Sequence, residues 1–144
     1  MATLKRLPDW EKRFINWVKV AAETPFEYGK FDCGLMTGDA IEALSGVDVV
    51  AGLRNQYKTP VGAYRTFQRV NGFEGFLLDA GAVEVHQNFA QRGDIAEHQF
   101  TDAKGRVRTS LAICAGSNWL IPAQQGVEFV PRKTLNINKV WRIQ

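Results

Sequence analysis

The stretch PFEYGKFDCGLMTGDAIEAL (residues 25–44) joins an aromatic loop directly to a helical pattern. Asp32 can accept hydrogen bonds from the free N–H groups of a helix that begins at Cys33, and Gly46 can end that helix in the left-handed conformation. Apolar residues recur at helical spacing, so we predict a helix from Cys33 to about Ser45 with one buried stripe. Cys33 then lies in the first turn, where unpaired N–H groups and the helix dipole favour a thiolate.

Helical patterns come first along the chain and strand patterns follow. An amphipathic helix is predicted over residues 8–24, and further helices from Pro60 to about Val70 and from Phe73 to Asp79. From residue 82 onward the chain consists of short β-rich runs separated by Gly, Asn, Asp and Pro. This order predicts a single α+β domain over residues 1–144, with N-terminal helices packed on a mostly antiparallel β-sheet.

Length, composition and charge exclude several classes of protein. The 144 residues are 45% hydrophobic and 23% charged, as in an ordinary globular domain with a real core. The net charge of +3 is scattered along the chain, so we predict no nucleic-acid partner. No apolar run approaches the ~20 residues of a membrane span, and no apolar stretch follows the basic start. We therefore expect synthesis in the cytoplasm without a signal peptide.

Few residues are of the types that bind cofactors or metals. The two cysteines, Cys33 and Cys114, are too few for a disulfide framework, so both are expected to be reduced. Together with His86 and His98 they make four possible metal ligands, but none is paired at the spacing of roughly two to five residues typical of zinc sites. The sequence has no phosphate loop and no dinucleotide glycine pattern. We predict neither a cofactor nor a metal.

A catalytic thiol at Cys33 would need more than a helix N-terminus. An ordinary thiol has a pKa near ~8.5 and only its thiolate is a strong nucleophile. Catalysis also requires a histidine that takes the proton and a third polar group that orients the histidine. The adjacent Asp32 opposes ionisation of the thiol. The alternative is that Cys33 is an inert, small core residue.

The segment PFEYGKFDCGLM resembles the start of the NlpC-type, papain-like cell-wall peptidases, whose Asp-Cys pair opens a helix and whose cysteine attacks peptidoglycan. RGDIAEHQF is similar to the Gly-Asp strand start of these enzymes, and TSLAICAGSNWLIPA resembles their next hairpin. More narrowly, LPDWEKR, PFxxGxxDC, VDxxAxxRxxYxT and the terminal VWRI are similar to small phage and prophage proteins encoded among tail-tip genes. The resemblance implies a papain-like (NlpC-type) α+β fold over most of the chain.

Carried over residue by residue, the resemblance implies an incomplete catalytic site. Cys33 falls on the nucleophile, here vestigial, and Tyr28 falls near the loop aromatic that can help to bind the oxyanion. Ser110 falls on the histidine position and Pro122 on the position of the third polar residue. A serine is no general base near neutral pH, and proline has no polar side-chain group.

A relocated base would have to be one of the two histidines. Alternation in GDIAEHQF places His98 on the same side of its strand as Ala96 and Phe100. His86 lies just before a predicted turn. A Cys33–His98 dyad therefore stays open as an alternative.

Three functions follow from these patterns. The resemblance implies a minor tail protein of a bacteriophage tail tip, a structural pseudoenzyme in the virion that binds neighbouring tail proteins. The second function is an active peptidoglycan-degrading cysteine peptidase or amidase that uses Cys33, and the third is a module that binds cell-wall peptides without cutting them. Aromatic residues are enriched at interfaces. Seven are candidates for such a surface: Tyr57, Tyr64, Phe67, Phe73, Phe76, Trp119 and Trp141.

Overall fold

A computed structural model, which describes residues 3–144, has four helices followed by a six-stranded sheet. The helices are α1 (Trp10–Ala21), α2 (Cys33–Ser45), α3 (Pro60–Gln68) and α4 (Gly72–Asp79). The strands are β1 (Val83–Val85), β2 (Ile95–Thr101), β3 (Val107–Cys114), β4 (Asn118–Ala123), β5 (Gly126–Pro131) and β6 (Asn136–Arg142). Short 3-10 turns span Gln87–Phe89 and Arg132–Thr134. The α+β class predicted from the order of the patterns is confirmed.

The strands lie in the order β1-β6-β2-β3-β4-β5, and every neighbouring pair is antiparallel. Helix α2 packs on β3 and also contacts α1. Because side chains alternate along a strand, Leu111 and Ile113 of β3 join the core beneath the helices, whereas Ala112 and Cys114 point to the other side. We call that other side the open face; its buried apolar residues are Ala90, Ala96, Ala112, Cys114, Trp119 and Val140.

Glycines bring α2 close to its neighbours. A Cβ atom added at Gly34 would lie 2.3 Å from Cζ of Phe67, and one added at Gly38 would lie 2.4 Å from Cγ2 of Val50. Neither contact leaves room for a methyl group. The two glycines therefore permit the close approach of a ring from α3 and of the segment after α2, even though glycine weakens a helix by about 1 kcal/mol relative to alanine.

Most of the aromatic residues named as interface candidates belong to the core instead. Tyr57, Phe67, Phe76, Trp119 and Trp141 are buried, and Phe73 is half-buried. The centre of the Phe67 ring lies 5.1–6.5 Å from those of Tyr57, Phe73 and Phe76, all in edge-on arrangements. Of the seven, Tyr64 alone is exposed, at 65%. For these residues the alternative of a place in the core holds: Phe67, Phe73 and Phe76 lie on the inner faces of α3 and α4, and Trp119 and Trp141 are on strands.

A buried carboxylate holds the two ends of the chain against the sheet. Asp94 is 0% exposed and accepts hydrogen bonds from Nη2 of Arg6 (3.2 Å), Nη2 of Arg142 (2.8 Å) and the backbone N–H of Gln91 (2.8 Å). Nε of Arg6 also donates to the carbonyl of Ile143 at 2.7 Å. The segment before α1, the turn before β2 and the end of β6 thus share one ion cluster.

Candidate functional site

Cys33 lies at a gap between β3 and β4. These strands pair at only two positions, Ile113 with Leu120 and Cys114 with Trp119. Farther from this pairing the loop before α2 runs along β4, where the N–H of Phe26 donates to the carbonyl of Ala123 at 2.9 Å. The thiol of Cys33 approaches β3 at the hydroxyl of Ser110 and the backbone N–H of Leu111. The start of α2 therefore lies where strands β3 and β4 no longer pair.

Asp32 fixes the geometry of this helix start. Its Oδ1 accepts a hydrogen bond from the N–H of Leu35 at 3.0 Å, as the sequence predicts for an N-cap. Its Oδ2 accepts from the N–H of Gly29 at 3.1 Å and from the hydroxyl of Tyr57 at 2.5 Å. The carboxylate is buried. Asp32 is therefore a structural anchor beside the thiol, with both oxygens occupied.

Tyr57 is the residue of this site that sequence reasoning missed. Burial and the hydrogen bond to Asp32 raise the pKa of its phenol far above the ordinary value, so the hydroxyl remains a donor. Its backbone also shapes the loop: a Cβ atom at Gly29, where φ is +85°, would lie 2.1 Å from the carbonyl oxygen of Tyr57. The signal that could have found Tyr57 is its place in the VDxxAxxRxxYxT stretch, which already carries the resemblance to phage proteins.

The surroundings of Cys33 oppose ionisation. Burial raises the pKa of the Cys33 thiol, and the nearby charge of Asp32 raises it further. The Ser110 side chain and the N–H groups of Leu111 and Gly34 lower this pKa, but the net direction is upward. The helix N-terminus therefore does not produce a thiolate here. At neutral pH the half-buried Cys33 is a neutral thiol.

Ser110 stands beside the thiol, and no imidazole acts on it. The groups that shift the pKa of Cys33 include Ser110 but neither histidine. His98 lies directly opposite Ser110 in the β2–β3 register, so strand β3 separates it from the gap that holds Cys33. Its ring is 6% exposed, and Nε2 has no hydrogen-bond partner within residues 3–144. Burial lowers the pKa of His98 and keeps the imidazole neutral.

The remaining candidates are Tyr28, Pro122 and His86. Burial raises the pKa of the Tyr28 phenol, and the nearby charge of Cys33 raises it further, so the two side chains share one electrostatic neighbourhood. Pro122 pairs with Val127 of β5 and lies beyond Leu120, the last residue of β4 that pairs with β3, so it is on the part of β4 that borders the gap. His86 is exposed and accepts a hydrogen bond at Nδ1 from the N–H of Asn88. The structure thus gathers Tyr28, Cys33 and Ser110.

This arrangement offers hydrogen-bond donors around a neutral thiol but no group that takes a proton near neutral pH. Two grooves of the described residues do not include Cys33 in their lining. One, of about 510 Å³, lies between α1 and α2, and another, of about 540 Å³, lies on the open face. Within residues 3–144 no group of three or more His, Cys, Asp and Glu side chains is arranged to hold a metal ion.

Comparison with known proteins gives one family. A family model described as a domain of unknown function (DUF6950) matches residues 5–143. No curated protein and no solved structure matches the chain. No helix in the part of the chain that the structure describes is long and apolar enough to cross a membrane.

Proposed function

The chain belongs to the DUF6950 family, and we propose that it is a structural component of a bacteriophage tail tip, a minor tail protein on a papain-like fold without catalytic activity. One observation carries the proposal: the side chain beside Cys33 is the hydroxyl of Ser110, where a papain-like peptidase needs an imidazole. A serine hydroxyl does not take the proton of a thiol near neutral pH. The raised pKa of Cys33 supports the same conclusion.

The papain-like part of the proposal rests on layout. A cysteine at the start of a helix faces the middle strand of an antiparallel sheet, and the Gly-Asp turn at Gly93 and Asp94 leads into the preceding strand. This matches the order of motifs in the NlpC-type enzymes that the sequence resembles. The location in a tail tip, and in the virion after synthesis in the host cytoplasm, rests on the resemblance of the LPDWEKR, VDxxAxxRxxYxT and VWRI stretches to phage proteins.

Complementation separates the structural role from an enzymatic one. A phage deleted for this gene should regain its full titre of infectious particles with the wild type and with Cys33→Ser alike, and mass spectrometry of purified tails should detect the chain. Ser110→Ala serves as a matched control at the same site, and thermal melts establish that each variant folds. If Cys33→Ser folds and enters tails but yields no infectious particles, the thiol has a chemical role and the proposal is wrong.

An active peptidoglycan peptidase that uses Cys33 is the second candidate. Two observations favour it: the residue Cys33 is only half-buried, and Tyr28, which the resemblance makes a candidate oxyanion donor, is electrostatically coupled to Cys33. Its test is the release of soluble fragments from purified peptidoglycan by the wild type and by Cys33→Ala. We expect no release above the buffer level from either protein. Release by the wild type alone would establish the enzyme.

A further inference from the structure

The groove of about 540 Å³ lies on the open face of the sheet. Its apolar lining consists of Leu135, Ile137 and the buried Trp119, and the polar side chains of Gln87 and Asn88 line it as well. Arg132 and Lys133 stand at its rim, from the 3-10 turn between β5 and β6. The groove differs chemically from the gap at Cys33, because it combines apolar side chains with two cations and its lining contains no cysteine.

The open face lacks the helical layer that covers the opposite side. Its apolar cluster contains no residue of α1, α2, α3 or α4. Ile121 is only partly buried on this cluster, and large apolar side chains of the neighbouring segments are open to solvent: Phe100 at 47% and Phe89 at 70%. An antiparallel sheet commonly packs one face on the core and leaves the other face polar and solvated. The apolar cluster on the face that has no helices is therefore a candidate contact surface.

The rim of the groove has unmatched positive charge. Neither Arg132 nor Lys133 has a carboxylate within 4.0 Å in residues 3–144, and no acidic side chain lines the groove. The guanidinium of Arg132 makes only two long contacts of 3.4 Å, to the carbonyls of Gly116 and Gln87. Three other partly buried arginines, Arg6, Arg54 and Arg142, are each paired with at least one of Asp94, Asp39 and Asp48. The two cations at this rim are thus available to an external carboxylate.

An unsatisfied polar atom lies on the same face. His98 stands directly opposite Ile137 of the groove lining in the β2–β6 pairing, and its buried Nε2 has no partner in the described residues. A buried polar atom without a hydrogen bond is destabilising, because it loses its contact with water and gains no partner in return. The apolar lining, the cationic rim and this atom all indicate that the open face is incomplete in the isolated chain.

We propose that this groove binds an acidic amphipathic helix of a neighbouring protein. The apolar side of that helix covers Leu135 and Ile137 above the buried Trp119, and its carboxylates pair with Arg132 and Lys133. Such a helix supplies anchors three and four residues apart, as in other helix-in-groove complexes. The inference rests on the proposed structural role and names the surface and the chemistry of the partner through which that role operates.

The test uses a synthetic helix as the probe. A peptide of about five helical turns (~18 residues), with leucine on one face and glutamate on the other, is titrated into ¹⁵N-labelled full-length protein. We expect saturable chemical-shift changes at the backbone amides of Trp119, Leu135 and Ile137. A scrambled peptide of the same composition controls for charge alone, and a peptide with lysine in place of glutamate controls for the apolar face. Equal binding of all three peptides overturns the proposal.

Variants of the protein locate the effect. The double variant Arg132→Glu, Lys133→Glu should weaken binding about tenfold or more, whereas the same change in charge at Arg65 and Arg69, both exposed near the end of α3, should leave it unchanged. Ile137→Gln places a polar side chain in the groove and should weaken binding. Val107→Gln, which alters an exposed side chain on β3, is its control and should not. Shift changes confined to the α1–α2 groove, or a concentration-dependent dimer that Ile137→Gln dissociates, would assign the surface to another occupant and contradict the proposal.

The two proposals fail separately. If the probe does not bind while Cys33→Ser still restores infectious particles, the docking inference is wrong and the structural role stands. If the probe binds as expected but Cys33→Ser abolishes infection, the groove is an interface of an active enzyme and the structural role is wrong.

Discussion

At the scale of single residues, the hydroxyl of Tyr57 is the strongest test of the site. It donates to the buried Oδ2 of Asp32 at 2.5 Å, and its loss leaves that oxygen with the N–H of Gly29 alone. We expect Tyr57→Phe to reduce the free energy of unfolding by about 1–3 kcal/mol, the cost of a buried charged acceptor that loses a donor. Urea denaturation measures this change in the free energy of unfolding. Tyr64→Phe removes an exposed hydroxyl and should change nothing; equal effects would mean that the Asp32 contact contributes little.

The chemistry of Cys33 can be tested by restoring the missing histidine. Because burial and Asp32 raise the pKa of Cys33, its alkylation by iodoacetamide should be slow at pH 7 and should accelerate only above the ordinary thiol pKa of ~8.5. Ser110→His places an imidazole beside the sulfur, and we expect the rate at pH 7 to rise roughly tenfold or more through a thiolate–imidazolium pair. Ser110→Ala, which only removes a donor, should not accelerate it. A wild-type rate that is already maximal at pH 7 contradicts the neutral thiol.

His98 predicts a particular pH dependence of stability. Burial lowers the pKa of His98 in the folded state below its value of about 6.5 in the unfolded chain. Between those two values the unfolded chain binds a proton that the native chain does not, so the free energy of unfolding falls as the pH drops below about 6.5. Urea unfolding at pH 7.5, 6.5 and 5.5 should show this loss, and His98→Gln should flatten it. His86→Gln, at an exposed position, is the control and should retain the wild-type slope.

What the sequence predicts about this site depends on how local each contact is. Asp32 and Cys33 are adjacent, so the N-cap and the position of the thiol follow from a single helix pattern. Ser110 lies beside the thiol. In the sequence, only the resemblance to a peptidase strand indicated this position, and no residue pattern did. Tyr57 reaches Asp32 across 25 positions through a loop with no periodic pattern. Residue spacing carries no information about such a contact.

At the scale of elements, α2 is the part of the fold that the sequence predicts most closely. Its predicted bounds, Cys33 to about Ser45, coincide with the observed helix because a capping Asp32 and a left-handed Gly46 (φ +81°) mark both ends. The first helix is shorter than the predicted residues 8–24 and spans Trp10–Ala21. There the apolar pattern continues into turns at each end, so periodicity alone overestimates the length.

The glycines of α2 give a prediction that reverses the usual rule for helices. Alanine ordinarily stabilises a helix by about 1 kcal/mol over glycine. We nevertheless expect Gly38→Ala to destabilise the protein by about 1–3 kcal/mol, because its Cβ would lie 2.4 Å from Cγ2 of Val50. In a Val50→Ala background the same change should be neutral or stabilising, and a double-mutant cycle in urea measures the coupling. Gly52→Ala, where no atom lies within 4 Å of the added Cβ, controls for glycine replacement. Additive effects would contradict the packing explanation.

At the scale of the whole molecule, the order of the strands is the feature that the sequence leaves open. Short β-rich runs predict an antiparallel sheet, yet β6 lies between β1 and β2, which are far from it along the chain. No local pattern encodes this pairing. What secures it is the cluster at Asp94, which joins Arg6 before α1 to Arg142 at the end of β6. The Gly-Asp turn is visible in the sequence, but its two arginine partners are 88 and 48 positions away.

The last prediction tests whether that cluster holds the ends of the chain together. Asp94→Ala leaves two arginine side chains without their buried carboxylate, and breaking a buried ion pair from one side costs about 3–5 kcal/mol. We expect a loss of that size in urea denaturation and faster hydrogen exchange at the amides of β6. Asp102→Ala is the matched control, since Asp102 also contacts two arginines but lies in an exposed hairpin, where solvent screens the charges. We expect Asp102→Ala to reduce the free energy of unfolding much less than Asp94→Ala does. If both variants lose equal stability, the cluster at Asp94 contributes no more than a surface ion pair, and the position of β6 must depend on its other contacts, such as the apolar packing of Trp141 and Ile143 and the buried hydrogen bond from Nε1 of Trp141 to Glu97.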